Sequence, residues 1–161
     1  MHEPLLFGID AVYGPWLPVS RRDPRAVALA RRHYSARKHK ISGIKANLGG
    51  PGSYLCLITP DCSALFVWVK WHNRLDGQQG VYCSIFRREE HCPWLASDLI
   101  RWAEAWAWQK WPGERLFTYV DARKVRSPNP GYCFLVSGWK RVGVSPSGKI
   151  LFEKFPSEEE P

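Results

Sequence analysis

Hydrophobic residues recur along this chain with two different periods, and the periods predict where strands and helices lie. Short apolar runs that are rich in β-branched and aromatic residues and bounded by proline, glycine or aspartate are typical of strands. Two of the runs flank the turn Pro60–Ser63 and two flank the turn Ser145–Gly148, so we expect two hairpins. The predicted strands are Tyr54–Thr59, Ala64–Lys70, Val81–Arg87, Leu116–Val120, Trp139–Val144 and Ile150–Phe155.

The first predicted helix carries arginine on most of its surface. Asp23 and Pro24 indicate its start, because aspartate accepts hydrogen bonds from free backbone N–H groups and proline fits the first turn. The apolar spacing continues to about His33, where the helix should end. Residues 1–22 contain several proline and glycine positions and should be irregular, apart from a short strand near Leu5–Ile9.

Two further helices follow the third strand. Pro93 or Ser97 opens the first of them, and it should end at Trp111, because the residue before a proline leaves helical geometry. A short helix is expected at Tyr132–Ser137. The order of elements is therefore helix, three antiparallel strands, helix, strand, short helix and two strands.

This order predicts one α+β domain over residues 1–156, with a mixed, mostly antiparallel central sheet flanked by helices. Residues 157–161 should form an acidic, disordered tail. No apolar run reaches the ~18–20 residues of a membrane span, and the first residues lack the pattern of a secretory signal. We therefore expect a soluble, cytoplasmic protein without a membrane partner.

The positive charge is concentrated in two segments. The formal net charge is +8, and nine basic residues stand against one acid between Arg21 and Lys45. Arg123, Lys124 and Arg126 form a second focus. Two basic segments favour a polyanionic partner, with nucleic acid the leading candidate, and the alternative is a solubilising surface.

Cysteine and histidine do not show the spacing of a metal site. The five cysteines contain no C-x-x-C pair, and three of them lie inside apolar runs. The histidines at positions 33, 39, 72 and 91 are scattered. The sequence therefore predicts neither disulfides nor a structural zinc site, and we assign no metal ligand.

Candidate chemistry is concentrated between Leu116 and Val144. Asp121 follows a buried strand, and a basic loop with Ser127 and Asn129 leads from it to the short helix that begins at Tyr132. Polar groups on a loop between buried elements are typical of functional sites. A second cluster, His33-Tyr34-Ser35, lies at the end of the arginine-rich helix.

The element order resembles the fold of GNAT acyltransferases, and several motifs narrow the resemblance. R-H-Y-S-A-R at 32–37, G-P-G at 50–52, A-L-F-V-W at 64–68, I-F-R at 85–87 and F-T-Y-V-D…R-S-P-N-P-G-Y-C-F at 117–134 resemble the Mom family. These are GNAT-related, phage-encoded proteins that modify DNA. The resemblance implies conversion of adenine to N6-(methylcarbamoyl)adenine in the cytoplasm of a bacterial host, which protects phage DNA from restriction.

The resemblance also implies roles for individual residues. The donor would be acetyl-CoA or a related acyl donor, and the partner would be double-stranded DNA. The oligomeric state stays open, and a homodimer is one of the possibilities. The expected catalytic residues are Asp121, Tyr132, His33, Tyr34 and Ser127. The expected substrate- or cofactor-binding residues are Ser35, Arg87, Asn129 and Gly131. The expected DNA-binding residues are Arg31, Arg37, Lys38, Lys40, Lys45, Arg123, Lys124 and Arg126.

Each candidate also has a structural interpretation. Asp121 could cap a loop, Tyr132 could pack the short helix, and His33 could cap a helix end. Ser127 and Asn129 are ordinary turn residues. Arg87 could pair with Glu89 or Glu90 instead of holding a phosphate or carboxylate.

Two departures from the GNAT pattern bear on the donor. GNAT enzymes bind the coenzyme A pyrophosphate on a glycine-rich turn, and the corresponding turn here, residues 87–93, contains no glycine. Phe134 occupies the position of a tyrosine that commonly serves as acid. The alternatives to a DNA-modifying transferase are a GNAT-type acyltransferase that uses acetyl-CoA on a small-molecule or protein amine, and a non-catalytic DNA-binding module.

Overall fold

A computed structural model describes residues 12–32, 52–72, 74–123 and 131–157. The strands and helices that lie wholly within these ranges are β1 (Leu17–Val19), α1 (Pro24–Arg32), β2 (Ser53–Ile58), β3 (Ala64–Lys70), β4 (Val81–Arg88), α2 (Ala96–Lys110), β5 (Leu116–Val120), α3 (Tyr132–Val136), β6 (Lys140–Val144) and β7 (Ile150–Lys154).

The strands form one open, seven-stranded sheet in the order β1-β2-β3-β4-β5-β7-β6. All neighbouring strands are antiparallel except β4 and β5, which are parallel. The predicted α+β class and the mixed, mostly antiparallel sheet are confirmed. The sheet contains a strand, β1, where irregular structure was predicted, whereas the strand predicted near Leu5–Ile9 lies outside the described residues, as does most of the predicted tail.

The predicted strands begin and end within one residue of the observed strands, and α2 begins between its two predicted starts, Pro93 and Ser97. Helix α1 begins as expected, and Asp23 Oδ1 accepts the backbone N–H of Arg25 at 2.9 Å. Helix α2 begins at Ala96 after Leu95, without a side-chain cap, and Ser97 lies inside the helix. The turn before it is held by the guanidinium of Arg88, which donates to the carbonyl oxygens of Cys92 and Trp94.

The two faces of the sheet pack against different helices. Alternate residues of β3 point to opposite faces, so Leu65, Val67 and Val69 share a buried cluster with α1. Phe66 and Trp68 belong to the larger cluster beneath α2 and α3. The indole Nε1 of Trp68 donates to the carbonyl oxygen of Ala103 at 2.9 Å, which ties α2 to the middle of the sheet.

A β-bulge interrupts the alternation in β4. Val67 pairs with Ile85 and Trp68 with Cys83, so Ser84 is the extra residue. Cys83 therefore lies in the α2 cluster whereas Ile85, two residues later, lies in the α1 cluster. The bulge turns the last residues of β4 relative to its first ones, just before the strand reaches Arg87.

The parallel pair β4–β5 is joined only near its beginning. Val81 pairs with Leu116 and Tyr82 with Phe117. Beyond these pairs, the Thr118 hydroxyl donates to the carbonyl oxygen of Cys83 at 2.9 Å, so a side chain continues the contact between the strands. Farther along, Phe134 of α3 packs edge-on against Phe86 of β4 and is stacked on Phe152 of β7. The short helix thus fills the space beside the ends of the parallel strands.

Candidate functional site

Three of the predicted functional segments converge at one edge of the sheet. Because β4 and β5 are parallel, the end of β4 at Arg87 and Arg88 and the end of β5 at Val120 reach the same edge, and Asp121 follows immediately. Arg87 Nη1 donates to the carbonyl oxygen of Arg32 at 2.6 Å, so helix α1 also ends there. We call this region the parallel-strand edge and define it by the ends of α1, β4 and β5.

Asp121 is a buried carboxylate at the parallel-strand edge. Its side chain is 2% exposed. Its Oδ1 accepts the backbone N–H of Arg123 at 3.1 Å and the Arg123 Nε at 3.2 Å, and its Oδ2 lies 3.4 Å from Arg123 Nη2. The backbone contact is the loop cap that was one of its two interpretations. Asp121 also forms an ion pair with Arg123. The Arg123 side chain is 68% exposed, so a buried carboxylate is paired here with a solvent-exposed cation.

Arg87 is engaged within the protein. Its Nε lies 2.6 Å from Glu89 Oε2, while Arg32 Nε reaches Glu89 Oε1 at 2.9 Å. Burial alone would raise the pKa of Glu89, but the two guanidinium groups outweigh it and hold that pKa below its ordinary value. The ion pair with Glu89 was one of the two interpretations of Arg87, and the network fastens the end of α1 to the end of β4.

Gly131 and Tyr132 begin helix α3. Gly131 has a φ of 80°, and a Cβ atom there would lie 2.4 Å from the Phe152 ring, so both the backbone conformation and the space require glycine. Tyr132 is 59% exposed, and its ring is not among the buried residues of the hydrophobic core. Phe134 is buried between Phe86, Trp139 and Phe152. The hydroxyl that this helix presents to solvent is therefore that of Tyr132.

The remaining candidates divide into two groups. Arg31 lies exposed on α1, and Arg123 lies exposed beside Asp121. The chain leaves the described structure after Arg32 and again after Arg123, in both cases at the parallel-strand edge. The candidates that lie outside the described residues are His33, Tyr34, Ser35, Arg37, Lys38, Lys40, Lys45, Lys124, Arg126, Ser127 and Asn129.

The turn between β4 and α2 does not fit the pyrophosphate of coenzyme A. Such a cradle needs backbone N–H groups that a ligand can approach closely, which glycine permits. Here the turn has no glycine, carries Glu89 and Glu90, and has its carbonyl groups bound by Arg88. This turn therefore offers no cradle for the pyrophosphate of coenzyme A.

Burial disfavours the thiolate form of three of the five cysteines. Burial raises the pKa of Cys56 to about 12 and also raises the pKa of Cys83 and Cys133. All five cysteines are free thiols. In the four described ranges, no group of three histidine, cysteine, aspartate or glutamate side chains is arranged to hold a metal ion. The same ranges contain no helix that is long and apolar enough to cross a membrane.

One buried charged residue, Glu104 of α2, was not predicted from the sequence. Its Oε2 accepts the Trp139 indole N–H at 2.7 Å, and its Oε1 pairs with Lys154 Nζ at 2.7 Å. Lys154 also donates to the carbonyl oxygen of Ser137, at the end of α3. The signal was a carboxylate beside the apolar stripe of α2, one residue after Ala103 and three before Ala107, both of which are buried.

In comparisons with known proteins, the sequence matches no protein-family model and no curated protein.

Proposed function

We propose that this protein is a DNA-modifying transferase of the Mom type, with a GNAT-like fold. It transfers an acyl- or acetamido-type group to the N6 amine of adenine in double-stranded DNA, giving N6-(methylcarbamoyl)adenine and shielding phage DNA from host restriction. The observation that carries the proposal is Asp121, a carboxylate that is buried at the end of a strand and compensated by an exposed arginine.

The chemistry requires a base close to the amine. The lone pair of the adenine N6 is delocalised into the ring, so the amine is a weak nucleophile until its proton has an acceptor. The adenine must also leave the base stack to reach a reactive group. As the N6–carbon bond forms and the leaving group departs from the donor carbon, the N6 proton passes to the carboxylate of Asp121.

Arg123 connects DNA binding to this base. Its guanidinium contacts both oxygens of Asp121, and most of its side chain is in solvent. A DNA phosphate beside it competes for the same guanidinium and draws it away from the carboxylate. Asp121 then exchanges an ionic contact for the adenine amine only when DNA is bound.

Three further features support the proposal. Apart from the additional strand β1, the observed order of strands and helices is the predicted order on which the GNAT resemblance rests. The exposed hydroxyl of Tyr132 is available to donate a proton or to stack on a base. Arg31 and Arg123 provide positive charge near the same edge for the phosphate backbone. The turn between β4 and α2 lacks a pyrophosphate cradle, so it does not identify the donor of the transferred group.

Mass spectrometry of nucleosides tests the proposal directly. DNA from bacteria that express the protein should contain a new modified deoxyadenosine, and Asp121→Asn should abolish it. Asp98→Asn is the matched control, because it is the same substitution at a surface ion pair with Arg101. Unmodified DNA from cells that contain the soluble, folded protein would overturn the proposal. DNA retention without modification would then favour a binding module, and acetyl-CoA consumption with a small amine would favour a different acyltransferase.

A further inference from the structure

A groove of about 450 Å³ follows the edge of β2 that β1 leaves uncovered. β1 has three residues and pairs with β2 only from Cys56 to Ile58. Within the described part of the chain, no strand pairs with Ser53–Leu55 on that side. The groove is lined by this stretch of β2 together with two basic residues, Arg21 and Lys110. Backbone donors of a strand edge beside two cations favour an anionic ligand.

The two basic residues come from separate elements and are held differently. Arg21 precedes α1, and its guanidinium carbon lies 4.5 Å from the centre of the Tyr54 ring. Stacking on a ring orients the planar guanidinium, a group whose forked geometry matches that of a phosphate. Lys110 is the last residue of α2 and adds a second charge from the other side of the sheet edge.

Helix α1 connects the groove to the parallel-strand edge. Arg21 lies just before the helix, and Arg32 at its far end accepts the contact from Arg87. The nine residues of the helix span about 14 Å. Exposed arginines at positions 22, 25 and 31 continue the positive charge between the two ends. The only acid of this stretch, Asp23, is paired with Arg25.

The separation between the groove and Asp121 follows from sheet geometry. Tyr54 pairs with Val69, and Arg87 pairs with Leu65, so the groove lies about four residues back along the strands from the parallel-strand edge. β2 and β5 are three strand spacings apart. A rise of ~3.3 Å per residue and a spacing of ~4.8 Å between strands then place the two sites on the order of 20 Å apart.

We propose that this groove binds a phosphodiester of the DNA backbone, about six base pairs from the adenine that is modified, since B-DNA advances ~3.4 Å per base pair. The position of the adenine rests on the proposed function; the anion site itself does not. The duplex lies along α1, with one end of its contact in the groove and the other at the parallel-strand edge. A consequence is that DNA too short to reach the groove is bound more weakly.

The test compares two lengths of DNA with and without the groove charges. Labelled hairpin duplexes extend about four or about twelve base pairs to either side of one adenine, and fluorescence anisotropy gives Kd at several salt concentrations. For the long duplex, Arg21→Gln/Lys110→Gln should raise Kd about tenfold and reduce the magnitude of the salt slope by about two. For the short duplex, the same variant should bind like the unsubstituted protein.

A matched control removes the same charge elsewhere. Lys140→Gln/Arg141→Gln changes two exposed residues of β6, at the opposite edge of the sheet, and should leave both Kd values within about twofold. Lys110→Gln alone leaves the Arg21–Tyr54 stack intact and should give about half of the change in salt slope. Equal losses on the short and long duplexes, or an equal loss in the control, would overturn the groove as a DNA site.

The failure of this inference differs from the failure of the proposed function. Anisotropy reports binding and needs no chemistry, and nucleoside mass spectrometry of the same duplexes reports the reaction. Binding that depends on duplex length, without modification of the adenine, would support the groove as a DNA site and refute the transferase function. Modification of the duplexes, with a Kd that depends neither on their length nor on Arg21 and Lys110, would support the transferase and refute the groove as a DNA site.

Discussion

Two buried carboxylates in this protein, Glu104 and Asp121, have nearly the same exposure, 3% and 2%, but different surroundings. Glu104 lies in the core, where its oxygens meet the buried indole of Trp139 and the ammonium of Lys154. Asp121 lies at the end of a strand, and its ionic partner Arg123 is mostly in solvent. The two carboxylates are therefore equally buried but differ in how exposed their ionic partners are, and we propose that this difference separates a structural carboxylate from a reactive one.

The difference has a physical basis. A buried ion pair whose partners are also enclosed cannot exchange them, because the desolvated charges would be left uncompensated. A buried carboxylate whose partner is a long, exposed side chain can exchange that partner for a ligand, since water solvates the released guanidinium. We expect the two sites to respond in opposite ways to loss of the carboxylate.

The largest effect on stability should come from Glu104→Ala. It removes the acceptor of the Trp139 indole and the counterion of Lys154, and breaking a buried pair in this way costs about 3–5 kcal/mol of unfolding free energy. Urea denaturation measures the change. Glu114→Ala removes the partner of Lys70 in a more exposed ion pair and should cost less than about 1 kcal/mol. Similar losses in the two variants would contradict the structural assignment of Glu104.

Asp121→Asn should show the opposite balance. Asparagine has nearly the same volume and can still accept the backbone N–H of Arg123, so the unfolding free energy should change by no more than about 1 kcal/mol. If Asp121 is the proposed general base, its loss should lower the rate of the proposed DNA modification by about 10²–10⁴-fold. Single-turnover assays with excess protein would measure that rate. A loss of stability as large as that of Glu104→Ala would show that Asp121 is a structural residue as well.

How well the sequence predicts these two positions also differs. Asp121 was identified because a continuous apolar run, Leu116–Val120, indicates a strand and the next residue is charged. Glu104 was missed because a helix places its residues all round an axis, so one carboxylate can border the buried stripe without breaking the period. Its role depends on Trp139 and Lys154, which are distant in sequence and whose positions follow from the pairing of β6 and β7.

The course of β4 shows the same limit at the level of the backbone. Its boundaries follow from local composition, but the bulge at Ser84 does not, because a bulge is a mismatch between two strands and only the pairing with β3 reveals it. The bulge shows in Cys83 and Ile85, which are two residues apart yet belong to clusters on opposite faces of the sheet. The network of Arg87 likewise required knowledge of where α1 ends.

Glu89 provides an intermediate case and the smallest expected effect. It lies at the same edge as Asp121, but two guanidinium groups from different elements hold it, and its pKa is lowered. A carboxylate with a lowered folded-state pKa contributes stability that is present above its unfolded pKa of ~4.3 and lost as the pH falls through the folded value. At neutral pH, we therefore expect Glu89→Gln to cost on the order of 1 kcal/mol, reduced because both arginines are partly exposed.

The pH dependence separates Glu89 from a residue that matters only through packing. The difference in unfolding free energy between the unsubstituted protein and Glu89→Gln should be constant from pH 8 to about 5 and should shrink below about pH 4, because the ion pairs are lost as Glu89 takes up a proton. Thermal unfolding in a series of buffers measures it, with Glu90→Gln as the control for an exposed neighbouring glutamate. A difference that persists unchanged at low pH would mean that the ion pairs of Glu89 with the two arginines do not account for its contribution to stability. Of the polar contacts between the end of α1 and β4, the hydrogen bond from Arg87 to the Arg32 carbonyl would then be the one that holds α1 at the parallel-strand edge.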